Sequence, residues 1–218
     1  MIICQNELSV EEIQIFKNYW NNNQDSAYIN WVQDNQVLDR RLTIEPDSLE
    51  MSIIKRIVGK YFKNINTIWG AYQRQNFAHQ IHIDDYGAKE GIKGYIYTFI
   101  FSLNTEPRFK TIVWKEECFS NKQLHEYVEQ WGKEHRILKK KSNISETHDL
   151  EHTYDTNQQE YMCDYLDLDG VYTYEAGSGV LFSAKQFHCT SNWPKYPDIP
   201  YRDLLQIHVA SFDKLQKC

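Results

Sequence analysis

Apolar residues recur at helical spacing in the first quarter of the chain and at strand spacing beyond it. Ser9-Val-Glu-Glu12 has the form of a capping box, and Ile13, Phe16 and Trp20 follow three and four residues apart. That spacing predicts a first helix stopping within Asn21-Asn-Asn-Gln-Asp25. Asp47, just after Pro46, is placed to cap a second helix whose core-facing stripe is Ile53, Ile54, Ile57, Val58, Tyr61 and Phe62. From Thr67 the pattern becomes that of strands. Ile68-Trp-Gly-Ala-Tyr72, Gly94 to Asn104, Phe109 to Trp114, Val171 to Tyr174, Gly179 to Phe182 and Leu204 to Ala210 are short β-favouring runs with Gly and Asn at several ends. Such a set predicts a sandwich or barrel. One long segment interrupts it. Ser120-Asn-Lys-Gln123 again has capping-box form, and Leu124, Tyr127, Val128, Trp131 and Leu138 share one helical face. Lys139-Lys-Lys141 suits the C-terminal end of that helix dipole, and a polar stretch follows to about Tyr161. A solvated insertion and a lid or partner surface are both readings of this segment.

Composition narrows the class. At 218 residues, with 15 Tyr, 10 Phe and 6 Trp but only five Pro and nine Gly, the chain suits one packed domain and not a linker or low-complexity tract. We expect N-terminal helical elements over 1–64, a β core over 65–214 and an insertion at about 117–165. No apolar run reaches the roughly 18 residues that span a bilayer, and Met1-Ile-Ile-Cys-Gln-Asn-Glu lacks the pattern of a signal peptide. Cysteines 4, 118, 163, 189 and 218 are odd in number and form no Cys-x-x-Cys pair, which reads as reduced thiols in a cytoplasmic setting. The net charge is −6, and the segment Lys115–Asp169, with 13 acidic and 7 basic residues, accounts for it. No basic face for a phosphate backbone is evident, so nucleic acid is not an expected partner.

The candidate chemistry begins at His82-Ile83-Asp84. Side chains two apart on an extended segment point to one side, so this imidazole and carboxylate face the same way. With His188 about a hundred residues on, they make two imidazoles and one carboxylate, the facial set of non-haem iron(II) oxygenases, which leaves coordination positions open. A surface histidine and an Asp84-Asp85 turn are the plain alternatives. His79 lies an odd number of positions from His82 and on a regular strand faces away, and His208 in an apolar strand reads as a satisfied core or pocket group. His125, His135, His148 and His152 lack ligand spacing, and Cys189 reads as packing. Trp193-Pro-Lys-Tyr-Pro197 is a rigid turn or a substrate-contact loop.

Order along the chain adds to the motif. His82-x-Asp84 is followed by the strand ending Leu103-Asn104, then by Gly177-Ser-Gly-Val-Leu-Phe-Ser-Ala-Lys-Gln-Phe-His188, and fourteen residues later by Arg202 at the start of the next strand. In these features, from about Ile68 to Val209, the chain resembles the iron(II)- and 2-oxoglutarate-dependent dioxygenases, and among them the prolyl 4-hydroxylase-like branch. The resemblance implies a mainly β double-stranded β-helix, a cupin-like jelly roll with N-terminal helices and a helical insertion. It implies that His82, Asp84 and His188 hold Fe(II), and that Arg202 pairs with the distal carboxylate of 2-oxoglutarate. It implies further that Tyr72 contacts the co-substrate and that Thr98 faces the same pocket. Ser102 stands where relatives often carry a larger, co-substrate-binding tyrosine. The activity implied is hydroxylation of a C–H bond in a peptidyl or small-molecule substrate, consuming O2 and 2-oxoglutarate and releasing succinate and CO2. A non-catalytic jelly-roll module and a cupin-type metal enzyme without 2-oxoglutarate are the alternatives; oligomeric state is not legible.

Overall fold

The structure, a computed structural model, describes residues 1–33, 35–84, 92–118 and 166–215. The helix expected from Ser120, the polar stretch behind it and Asp85 lie outside the described residues. Two antiparallel sheets face one another. The larger has the order β1 (Ile2–Cys4), β8 (Gly179–Ser183), β5 (Tyr95–Ser102), β10 (Arg202–Ser211), β4 (Ile65–Gln75), β3 (Gln36–Thr43) and β2 (Tyr28–Gln33). The smaller has the order β7 (Leu168–Tyr174), β6 (Glu106–Glu117) and β9 (Gln186–Thr190). This is the jelly-roll, double-stranded β-helix architecture.

Alternation along the central strands sorts the side chains. On β5, β8 and β10, the residues Tyr97, Phe99, Phe101, Leu181, Leu205, Ile207 and Val209 face outward into a core shared with two helices. Thr98, Ile100, Phe182, Leu204 and His208 take the other phase and face the smaller sheet. Helix α1 (Val10–Asn23) starts at the expected capping box. The Glu12 amide donates to Ser9 Oγ at 3.2 Å, and the Ser9 amide donates back to Glu12 Oε2 at 3.0 Å. Ile13, Phe16 and Trp20 are its buried face. Helix α2 (Leu49–Tyr61) buries Met51, Ile53, Ile54, Ile57 and Val58, each of the larger side chains worth roughly 2 kcal/mol of apolar burial.

Two expectations are corrected here. The cap of α2 is Ser48, whose Oγ accepts from the Met51 amide at 3.1 Å. Asp47 instead sits in the turn that Pro46 begins, closed by the Ser48 amide donating to the Glu45 carbonyl at 3.1 Å. The first 64 residues are also more than helical, since they supply β1, β2 and β3 to the larger sheet. Asn35, in the left-handed region at φ 63°, turns β2 into β3. Cys4, Cys118 and Cys189 are buried, and Cys189 packs with Ile81, Ile112 and Phe187 as expected. Among the described residues no helix is long and apolar enough to cross a membrane.

Candidate metal centre

His82 and Asp84 lie just beyond β4, on an irregular segment that runs antiparallel to β9. The His82 amide donates to the His188 carbonyl and the His188 amide to the His82 carbonyl, both at 2.9 Å. The Asp84 amide donates to the Ala184 carbonyl at 2.9 Å, and the Thr190 amide to the His79 carbonyl at 3.0 Å. This main-chain bridge sets the two imidazoles side by side, with ring centroids 4.1 Å apart. One ligand atom from each of His82, Asp84 and His188 lies within 4.8 Å of the others.

Each ring is held in a tautomer suited to a metal. His82 Nδ1 lies 2.7 Å from the Gln80 carbonyl and His188 Nδ1 lies 3.0 Å from the Gln186 carbonyl. A carbonyl only accepts, so Nδ1 is the donor in both rings and Nε2 is the atom left to face a cation. Burial, and then the neighbouring His188, push the His82 imidazole down to about 3, so it stays neutral at pH 7. Burial opposes ionisation of Asp84, but His188, His208, His82 and the Thr98 hydroxyl outweigh it and hold the carboxyl below its ordinary value. Two imidazoles and a carboxylate fit a divalent transition-metal ion.

Thr98 faces this site from β5, and its contact is with Asp84. Its hydroxyl donates to Asp84 Oδ2 at 2.6 Å and lies 3.2 Å from His208 Nδ1. Tyr72 is not brought to the site. Gln73 and Gln75 are the cavity-facing residues of this stretch of β4, so Tyr72 takes the opposite phase and stacks on Trp20 at 4.9 Å under α1. Ser102 donates to the Asn104 carbonyl and does not line the cavity. His79, expected to face away, lines the cavity with its ring 4.8 Å from that of His82. The reason is a bulge. Three steps along the chain from His79 to His82 run beside two from Thr190 to His188, and the extra residue restores His79 to the same face. His79 is not a further ligand, because its Nε2 lies 3.1 Å from Gln75 Nε2 and accepts from it.

The cavity, partly open to solvent, runs from the three ligands to Arg202. Arg202 is almost fully buried. Its Nε and Nη2 donate to Gln75 Oε1 at 2.9 and 2.6 Å, and Nη1 donates to the Tyr174 hydroxyl at 3.1 Å. Tyr174 in turn lies 3.2 Å from the Thr111 hydroxyl. No carboxylate lies within ion-pair distance of Arg202 among the described residues. Burial accordingly lowers the guanidinium pKa, with Tyr174 and Asp39 opposing. Sequence spacing does not single out Gln75, Tyr174, Arg41 or Gln206. The signal available was a polar residue in phase with Arg202 along an otherwise apolar β10.

The fold is that of solved 2-oxoglutarate-dependent oxygenases. SnoK, a non-heme alpha-ketoglutarate-dependent carbocyclase from nogalamycin biosynthesis, matches with a TM-score of 0.58 at 11% identity, over 96% of this chain and 79% of its own. EvdO2 from Micromonospora carbonacea var. aurantiaca, complexed with 2-oxoglutarate, gives 0.53 at 9% identity over 98% and 89%. HygX from Streptomyces hygroscopicus, with nickel and 2-oxoglutarate bound, gives 0.50 at 11% over 96% and 82%. No protein-family model and no curated protein matches the chain.

Proposed function

We propose that the protein is an iron(II)- and 2-oxoglutarate-dependent oxygenase that hydroxylates a C–H bond of a small-molecule or peptidyl substrate. One observation carries the reading: a three-donor metal site and a buried guanidinium with no carboxylate partner among the described residues share one cavity. His82, Asp84 and His188 would hold the iron, and Arg202 would receive the distal carboxylate of 2-oxoglutarate. When bound, the pair supplies dioxygen activation, with 2-oxoglutarate converted to succinate and CO2.

The chain's own residues position and shield. The Gln80 and Gln186 carbonyls hold the two Nδ1–H groups, which turns each Nε2 toward the metal position. Thr98 fixes the Asp84 carboxylate in rotation. Tyr174, from β7, brings to Arg202 the phenol that Ser102 does not supply from β5. Phe182 packs against His188 at 4.7 Å and closes the apolar side of the site. That HygX has also been solved with hygromycin B bound favours a small molecule over a peptide. A binding module, or a metal enzyme without 2-oxoglutarate, gives the buried positive charge of Arg202 no anion to receive.

The direct test is succinate formation from 2-oxoglutarate by iron-loaded protein, screened over small molecules and peptides. Production that requires iron and rises with one substrate class supports the proposal; none in any combination removes it. Thr98→Val should weaken metal binding by about tenfold, the cost of losing a hydrogen bond that orients a ligand. Calorimetric titration with nickel(II) measures it, and an unchanged affinity would remove Thr98 from the site.

A further inference from the structure

A second guanidinium opens onto the same cavity and has no part in the chemistry above. Arg41 lies on β3, in register with Gln73 of β4. Its Nε donates to Asp39 Oδ2 at 2.8 Å, the oxygen that also accepts from Asn30 Nδ2 at 2.8 Å. Asp39 is fully buried, and its Oδ1 has no hydrogen-bond partner. An arginine placed only to neutralise that carboxylate would grip both oxygens with two N–H groups. Arg41 uses one. Its end-on Nη1/Nη2 fork engages no acceptor among the described residues, on a side chain 21% exposed that lines the cavity.

The glutamines beside it can be oriented in only one sense. Arg202 fixes Gln75 Oε1 as an acceptor. Gln75 Nε2 therefore donates to Gln73 Oε1 at 3.0 Å, and Gln73 Nε2 donates to Gln206 Oε1. Reversing any of the three amides would set donor against donor, so the cation orients the whole series. The amide oxygens are used within the protein. What this wall presents to a ligand is N–H: Gln206 Nε2, polarised by the chain that leads from Arg202, and the Arg41 fork.

We propose that Arg41 and Gln206 form a second anion subsite, which takes a carboxylate carried by the primary substrate and makes that substrate a small carboxylic acid. The inference rests on the oxygenase reading, with Arg202 kept for the co-substrate. Asp39 occupies the Nε side of Arg41, so a carboxylate takes the opposite end of the guanidinium. An amine would meet N–H with N–H, and a primary amide offers one acceptor where the fork offers two donors.

The test is calorimetric, on anaerobic protein loaded with nickel(II) and saturating 2-oxoglutarate. Benzoate and hexanoate serve as acid probes, benzamide and hexanamide as neutral counterparts. The acids should bind one per chain, at least about tenfold tighter than the amides, without displacing 2-oxoglutarate. Arg41→Gln should abolish that discrimination. Because this change also strips Asp39 of its cation and can unfold the chain, Gln206→Glu is measured beside it. The new side chain still accepts from Gln73 but turns the unengaged N–H into a carboxylate oxygen, so acid binding should again fall about tenfold. Acids and amides binding alike, or no acid binding to loaded protein, would overturn the proposal. So would acid binding unchanged in either folded variant, or acids that expel 2-oxoglutarate and so reveal themselves at Arg202. Failure of nickel or 2-oxoglutarate to load at all overturns the oxygenase reading, and this inference with it.

Discussion

Replacing His188 by alanine should lower metal affinity by about 100-fold or more and abolish metal-dependent turnover, while the fold survives. Small metal sites bind through about four donors with apparent free energies of ~10 kcal/mol or more, so one donor is worth roughly 3 kcal/mol. The two remaining ligands also lose the geometry that makes the site. Stability should change far less. The bridge that joins His82 to His188 is made by main-chain groups, at 2.9 Å in both directions, and alanine keeps it. The Gln186 carbonyl loses only its bond from Nδ1, a loss of about 1 kcal/mol. Calorimetric nickel titration and thermal unfolding on the same preparation separate the two effects. Wild-type nickel affinity in a folded variant would take His188 out of the site.

Arg202→Met should raise the 2-oxoglutarate concentration needed for half-saturation by about 100-fold and leave metal binding nearly unchanged. Removing one member of a buried, hydrogen-bonded charge pair costs about 2–5 kcal/mol, and 100-fold corresponds to ~2.7 kcal/mol. Methionine fills most of the volume of the buried side chain. It leaves Gln75 Oε1 without its donors, so a stability loss of about 1–3 kcal/mol accompanies the change. Titration of 2-oxoglutarate into nickel-loaded protein reads the effect. An unaltered affinity would move the carboxylate contact from Arg202 to Arg41, the other guanidinium on the cavity wall.

What was legible in the sequence was whatever depends on local pattern. Ser9 and Glu12 announce α1 because a capping box is closed within four residues. The stripe Ile53, Ile54, Ile57 and Val58 announces α2 because one helical face is buried. Burial of β10, broken only at Gln206, shows in the apolar run Leu204 to Ala210. His82, Asp84, His188 and Arg202 stood out because motif, order and strand position agreed. What was not legible depends on packing or on breaks in regular geometry. Strand β3 carries Asp39 and Arg41 inward, so charged residues disguise a strand whose core is a polar cavity. Tyr72 was assigned by its distance from His82, but one step of strand phase sends it to Trp20 and α1. His79 was excluded by that same alternation, which the bulge opposite β9 breaks. Thr98 was expected to face the co-substrate, yet its partner is Asp84, a pairing that only tertiary closure of β5 against the ligand segment creates.

In the proposed oxygenase the cavity binds 2-oxoglutarate through a metal held by His82, Asp84 and His188. This is tested most directly by anaerobic calorimetry of 2-oxoglutarate into the protein with and without one equivalent of iron(II). One iron should bind per chain, and one 2-oxoglutarate only when that iron is present. Absence of stoichiometric iron binding, or 2-oxoglutarate binding equally well without it, would overturn the oxygenase reading.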